Sequence, residues 1–240
     1  MLVSVFGDSI STFEGYNPPG YAVYYDASDI LSLDVRKSAD CWWMQTIMAL
    51  GGELLVNDSY SGSTVSSGIF PAATNEQRLS NLGKDGQSPD LILIYLGVND
   101  FMFCVPIGRQ TSDGPRVAHY FADAYLMMLE ELESRYPQAA ICCATIMRSN
   151  WPGRFRHIQA MPEHNETGLE LAHYDEAIRA AVARTNAKLV DLASFGKRYD
   201  APDGAHPNAR GHAQLARQWI HGLRGLGLKY EGRSLFSSLH

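Results

Sequence analysis

Short apolar runs alternate along this chain with longer stretches in which apolar positions recur at helical spacing. The runs at residues 2–6, 53–57, 91–96, 139–146 and 188–192 have the length and flanking turn residues of buried strands. Between them, residues 41–50 place Trp43, Ile47 and Leu50 on one face and stop at Gly51-Gly52, a helix C-terminal signal. Residues 118–136 align Phe121, Ala124, Tyr125, Met128, Leu129 and Leu132 in one stripe that Pro137 ends. Thr167-Gly168-Leu169-Glu170 has the spacing of a capping box, so a third helix is expected to open there and run through Leu171, Tyr174, Ile178 and Val182. The last is expected to start at Pro207 and to bury Leu215, Trp219 and Leu223. Strand and helix in alternation predict an α/β fold: a three-layer α/β/α sandwich around a five-stranded parallel sheet, with residues 1–240 forming one domain.

Composition narrows the partners. The formal net charge is -6 and no basic run is longer than Arg36-Lys37, so neither nucleic acid nor an anionic membrane is an expected partner. The apolar stretches fall short of the ~20 residues of a membrane-spanning helix. The N-terminus lacks the basic and apolar regions of a secretory signal, which makes the cytoplasm the expected compartment. Cys41, Cys104, Cys142 and Cys143 have no metal-type spacing, and the adjacent pair in a strand points to opposite faces, so no disulfide framework is expected. Association into homo-oligomers is left open.

An open parallel sheet binds ligands beyond the carboxyl ends of its strands, where loops converge and helix N-termini point inward. The residues just after each predicted strand are therefore the informative ones. They read Gly7-Asp8-Ser9-Ile10-Ser11, Ser59-Tyr60-Ser61-Gly62-Ser63-Thr64, Gly97-Val98-Asn99-Asp100 and Asp203-Gly204-Ala205-His206-Pro207. Taken singly each has a plainer reading: Ser9 as a helix N-cap, Asn99-Asp100 and Asp203-Gly204 as turns, His206 as a capping residue. Together they put a nucleophile, two polar turns and an Asp/His pair on one edge.

These four blocks, in this order from residue 7 to residue 207, resemble the SGNH (GDSL-like) hydrolase superfamily. Ile10 replaces the leucine that many members carry, and residues 13–39 and 148–166 match no substrate-defining pattern. The resemblance implies a flavodoxin-like sheet and a serine esterase with Ser9 as nucleophile, His206 as general base and acid, and Asp203 as the orienting carboxylate. It assigns the oxyanion hole to the backbone N–H groups of Ser9 and Gly62 and the side-chain amide of Asn99. The chemistry needs these types: a serine hydroxyl requires a base within reach and a third group to hold that base, and the developing oxyanion requires preorganised donors. No metal or organic cofactor is called for. A base must be neutral to accept a proton, so activity is expected to fall as pH drops through the range where an ordinary histidine protonates. Gly7-Asp8-Ser9-Ile10-Ser11 lacks the second glycine of an α/β-hydrolase elbow, which places Ser9 on a softer loop.

Short acyl esters, with acetyl groups on a carbohydrate foremost, are the expected small-molecule substrates. The alternatives are a thioesterase, an acyltransferase or a lipid acylhydrolase using the same triad, a non-catalytic carbohydrate-binding protein, and a metal-dependent hydrolase built on His157 and His164. Asp8 and Asp100 read as loop-stabilising acceptors. His119, His173, His212 and His221 fall on expected helices as polar-face or partly buried residues. Tyr16, Tyr21, Tyr24 and Tyr25 form an aromatic loop that either stacks on substrate or pins itself down, and Trp151 carries the same two readings. The segments 13–39, 101–115 and 148–166 are long for simple turns and are expected to wall the pocket.

Overall fold

The apolar run after Pro89-Asp90 becomes the middle of the sheet because neither of its faces meets water. In the computed structural model, which describes residues 1–68, 71–108, 116–150 and 161–228, the elements are β1 (Leu2–Gly7), α1 (Trp42–Ala49), β2 (Glu53–Ser59), α2 (Glu76–Ser80), β3 (Leu91–Tyr95), α3 (Val98–Met102), α4 (Phe121–Arg135), β4 (Ala140–Ala144), β5 (Arg148–Asn150), α5 (Leu171–Val182), β6 (Lys188–Val190), β7 (Arg198–Asp200) and α6 (Ala209–Gly225). Among the described residues, five strands pair in parallel in the order β2-β1-β3-β4-β6. Every residue of β3 is buried, as a strand covered by helices on both faces requires. Helices α1 and α6 pack together, as do α4 and α5, and one continuous apolar core fills the space between helices and sheet.

The strand order reverses direction at β1: the chain steps outward from β1 to β2, then crosses back to β3 on the other side. The loops leaving β1 and β3 therefore diverge and leave a crevice at their carboxyl ends. Ser9 follows β1, Gly62 follows β2 and Asn99 lies in the first turn of α3, the helix that follows β3.

Helix ends obey local chemistry. Left-handed Gly51 (φ 63°) ends α1 as expected. Two starts differ from the sequence reading. Helix α5 begins at Leu171 with Glu170 as N-cap, and the reciprocal side-chain contact is made by His173; Thr167 instead donates its hydroxyl to Asn165 Oδ1, and Gly168 turns left-handed at φ 81°. Helix α6 begins at Ala209, not Pro207, because the Asn208 side chain accepts from the Gly211 N–H and outcompetes proline's preference for a first turn. His119 lies in the turn before α4, and the short helices α2 and α3 carried too little periodicity to be expected.

A second, two-stranded parallel sheet, β5 with β7, was also unexpected. Its strands are three residues each and largely polar. It carries the chain into residues 201–207, the loop that holds Asp203 and His206.

Candidate active site

Ser9 opens a single 3-10 turn, Ser9–Ser11, at the end of β1. Asp8, not Ser9, is its N-cap: the Asp8 carboxylate accepts from the Ile10 N–H at 3.0 Å. The Ser9 hydroxyl is thereby left out of capping. It lies 2.8 Å from His206 Nε2, and His206 Nδ1 lies 2.6 Å from Asp203 Oδ2. The other Asp203 oxygen, Oδ1, accepts the backbone N–H groups of Ala205 (2.9 Å) and His206 (2.7 Å). Burial pushes the Asp203 carboxyl up, but the hydrogen bond and charge of His206, with these two N–H donors, outweigh it and hold the group well below the usual carboxylate range.

The 201–207 loop is strapped by three side chains. Ser149 Oγ donates to the Gly204 carbonyl, Tyr199 donates to Ala205 and Tyr25 donates to Pro207. Ser149 and Tyr199 are partners in the small sheet, which explains what that sheet contributes: it fixes the backbone on which the Asp/His pair sits.

After β2, Gly62 adopts φ 80°, a conformation that disfavours any side chain, and the position its Cβ would take is open space. Asn99 Nδ2 donates to the Ser63 carbonyl at 2.8 Å, which ties the third block to the second and aims the amide. Asp100 accepts from the Val65 and Ser66 N–H groups and from the Ser66 hydroxyl, holding the same loop. Among the described residues, neither the Ser9 nor the Gly62 N–H donates to a protein acceptor. Asp8 and Asp100 are thus the loop-stabilising carboxylates expected. Burial raises both, to about 7 and about 6 respectively, against the N–H donors that lower them.

Arg78, which no motif singled out, lies buried beneath this edge. It bonds the Asp58 carboxylate at 2.9 Å, the carbonyls of Gly7 (3.1 Å) and Asp58, and the Ser63 hydroxyl, while its guanidinium sits 4.6 Å from the Phe6 ring centre. One cation therefore links the strand that leads to Ser9 with the turn that holds Gly62. Arg78→Leu should cost about 3–5 kcal/mol, because Asp58 is left buried without its counter-charge. Urea unfolding followed by circular dichroism checks this; a loss under about 1 kcal/mol would mean that Asp58 finds another partner.

The aromatic loop divides. Tyr25 is buried, Tyr21 packs on Tyr60 and donates to Asp58, and Tyr16 lies against Phe13 and Trp43, so these three pin the loop. Tyr24 instead stacks on His206, ring centres 3.5 Å apart and planes 9° from parallel. His212, expected as a polar-face or partly buried residue, is fully buried: its Nδ1 accepts from the Trp42 N–H, and burial pushes its pKa down to about 3. His164 sits beside Glu170 on a surface cavity with Arg148 and Arg198. His157 and Trp151 lie outside the described residues.

A relay of hydroxyl, imidazole and carboxylate is the equipment of acyl transfer. The model of the GDSL-like lipase/acylhydrolase family matches residues 1–160. The chain belongs to that family. It is accordingly an ester-hydrolysing enzyme of the SGNH type. Among solved structures it is similar to a protein described as a GDSL-like lipase from Bacteroides ovatus, with 26% identity, TM-score 0.72, and 93% of this chain and 98% of the other covered. A second, from Bacteroides uniformis, gives 25% identity, TM-score 0.68, and 93% and 95% coverage. A carbohydrate esterase family 2 enzyme from Corynascus thermopiles shares the fold at 22% identity and TM-score 0.58, covering 94% of this chain and 66% of that one. The curated proteins give no match. No helix among the described residues is long and apolar enough to cross a membrane.

Proposed function

We propose that this acylhydrolase is a serine esterase of short acyl esters, with O-acetyl carbohydrates as the first substrates to test. The observation that carries the reading is the unbroken contact Ser9 Oγ to His206 Nε2 to Nδ1 to Asp203. In the proposed reaction the Ser9 proton passes to His206 Nε2 as Oγ bonds the carbonyl carbon. The oxyanion is met by the N–H groups of Ser9 and Gly62 and by Asn99 Nδ2. Collapse breaks the ester C–O bond, and His206 returns its proton to the leaving alcohol. Water, giving a proton to the same nitrogen, then attacks the acyl-enzyme and releases the acid and the Ser9 hydroxyl.

Two features support the substrate class. Tyr60 directly follows β2, in the second polar block, and aromatic faces suit sugar rings. The fold is also that of carbohydrate esterases, among them a family two carbohydrate esterase from Clostridium thermocellum whose active-site mutant was solved in complex with celluohexase. Nitrophenyl esters with acyl chains of increasing length provide the test. We expect kcat/KM to be highest for acetyl and to fall as the chain lengthens, and acetylated oligosaccharides to be deacetylated. A steady rise toward dodecanoyl would replace this reading with a lipid acylhydrolase.

A further inference from the structure

Tyr24 touches both partners of the relay at once. Its ring covers one face of His206, and its hydroxyl donates to Asp203 Oδ2 at 2.9 Å, the same oxygen that receives His206 Nδ1. Its backbone reaches the nucleophile as well: the Tyr24 N–H donates to Thr12 Oγ1, and Thr12 Oγ1 donates to the Ser9 carbonyl at 2.9 Å. We propose that Tyr24 is a positioning residue that locks the acid–base pair by hydroxyl and ring together, making the working unit Ser9, His206, Asp203 and Tyr24. The proposal rests on the reading of Ser9, His206 and Asp203 given above.

The physical case has two parts. A carboxylate with one oxygen shared between an imidazole N–H and a phenol cannot rotate without breaking both bonds. A ring stacked nearly parallel at 3.5 Å leaves the imidazole no room to tilt on that side, so Nε2 stays aimed at Ser9. The stacked face also bears the negative side of the ring quadrupole, which favours the imidazolium formed during each proton transfer. The two contacts have opposite effects on proton affinity. The phenol draws charge from Asp203 and weakens its hold on the imidazolium; the ring face strengthens it.

The groups around the pair do not confuse that signature. Tyr25 meets Tyr24 edge-on, Tyr199 binds the Ala205 carbonyl, and His212 lies within electrostatic reach of His206. Burial holds the phenols of Tyr24, Tyr25 and Tyr199 well above their ordinary range, and His212 is down at about 3, so all four keep their charge between pH 4 and 9. Asp8 and Asp100 do titrate there, but equally in every variant compared.

The experiment measures pH profiles of kcat/KM for 4-nitrophenyl acetate with wild type, Tyr24→Phe, Tyr24→Leu and Ser9→Ala. Tyr24→Phe keeps the ring and loses the hydroxyl. It should lower kcat/KM roughly three- to ten-fold, the kinetic equivalent of one hydrogen bond. Its acid limb should move to higher pH by about 0.3–1 unit, since Asp203 then holds the imidazolium more strongly. Tyr24→Leu should lose about 100-fold through misalignment, and its acid limb should lie below that of Tyr24→Phe. Tyr24→Phe is nearly isosteric, so it carries the test even where Tyr24→Leu fails to fold; the downfield resonance of the His206 Nδ1 proton, shifted in Tyr24→Phe, gives a readout independent of turnover. Profiles and resonance superimposable on wild type, with Ser9→Ala inactive, overturn the Tyr24 proposal alone. A Ser9→Ala protein as active as wild type overturns the reading of the site and this proposal with it.

Discussion

Ser9→Ala should lower kcat by about a million-fold, and adding His206→Ala to it should lower it little further. The two residues act as one unit: the 2.8 Å contact has value only when the hydroxyl has a proton to give and the imidazole is there to take it. Removing either end abolishes the same step, so the losses should overlap instead of adding. What survives in the double variant should be the modest rate from substrate binding and the oxyanion donors, about 1,000-fold or more over water. Steady-state assays on an activated acetyl ester, with a fluorophosphonate labelling Ser9 in wild type only, measure all of this. Fully additive losses would show that serine and histidine serve separate steps. Neither substitution should unfold the protein. Ser9 is not a cap, Asp8 holds the turn in its place, and the Asp203 and His206 loop is kept by Ser149, Tyr199 and Tyr25.

How much of this was visible in the sequence depended on whether a residue's partner was local. The five strands of the main sheet and the principal helices were legible because burial on a face writes a period into the chain. Trp43, Tyr125, Leu129, Leu215 and Trp219 are all buried where the pattern put apolar side chains on a face. Three of the polar blocks were legible because each follows a strand of the main sheet, and the fourth through the three-residue spacing of Asp203 and His206; the structure does bring Ser9, His206 and Asp203 into contact and ties Asn99 to the Ser63 carbonyl. Other features had no such signature. The β5–β7 sheet is built from Arg148-Ser149-Asn150 and Arg198-Tyr199-Asp200, too short and polar for any alternation to show. Arg78 stands in a five-residue helix in which Glu76, Gln77 and Ser80 are exposed, and nothing local distinguishes it from a solvated arginine, although it is 2% exposed. Tyr24 reaches Asp203 across 179 residues, so its tyrosine cluster suggested a role without showing which ring would carry it. His212 misled because the amphipathic face of α6 is wide: its position read as polar or partly buried, but the N-terminus of α1 comes down on it and uses Nδ1 as an acceptor. Helix starts misled for a related reason. Side-chain caps at Glu170 and Asn208 decide them within one residue, and several residues nearby could have capped equally well.

The second large effect is expected at Asn99, and here the fold and the chemistry can be separated cleanly. One Asn99 Nδ2 hydrogen is committed to the Ser63 carbonyl, which orients the amide plane; in the proposed reaction the other meets the oxyanion. Gly97, at φ 122° and packed against Phe121 and Ile146, sets the start of α3 and hence the place from which Asn99 reaches. Asn99→Ala keeps that backbone and deletes the donor, so kcat should fall about 100- to 1,000-fold while KM changes little, since a ground-state carbonyl asks less of the donor than an oxyanion does. The lost bond to Ser63 should cost only about 0.5–1.5 kcal/mol of stability, small beside the kinetic loss. Asn99→Asp sharpens the case: it preserves shape but presents an acceptor, and above the carboxylate range a negative charge, to a developing oxyanion, so it should be the slower of the two. Equal rates for the alanine and aspartate variants, or a rise in KM that accounts for the whole deficit, would place Asn99 in ground-state binding and leave the transition-state charge to the two backbone N–H groups.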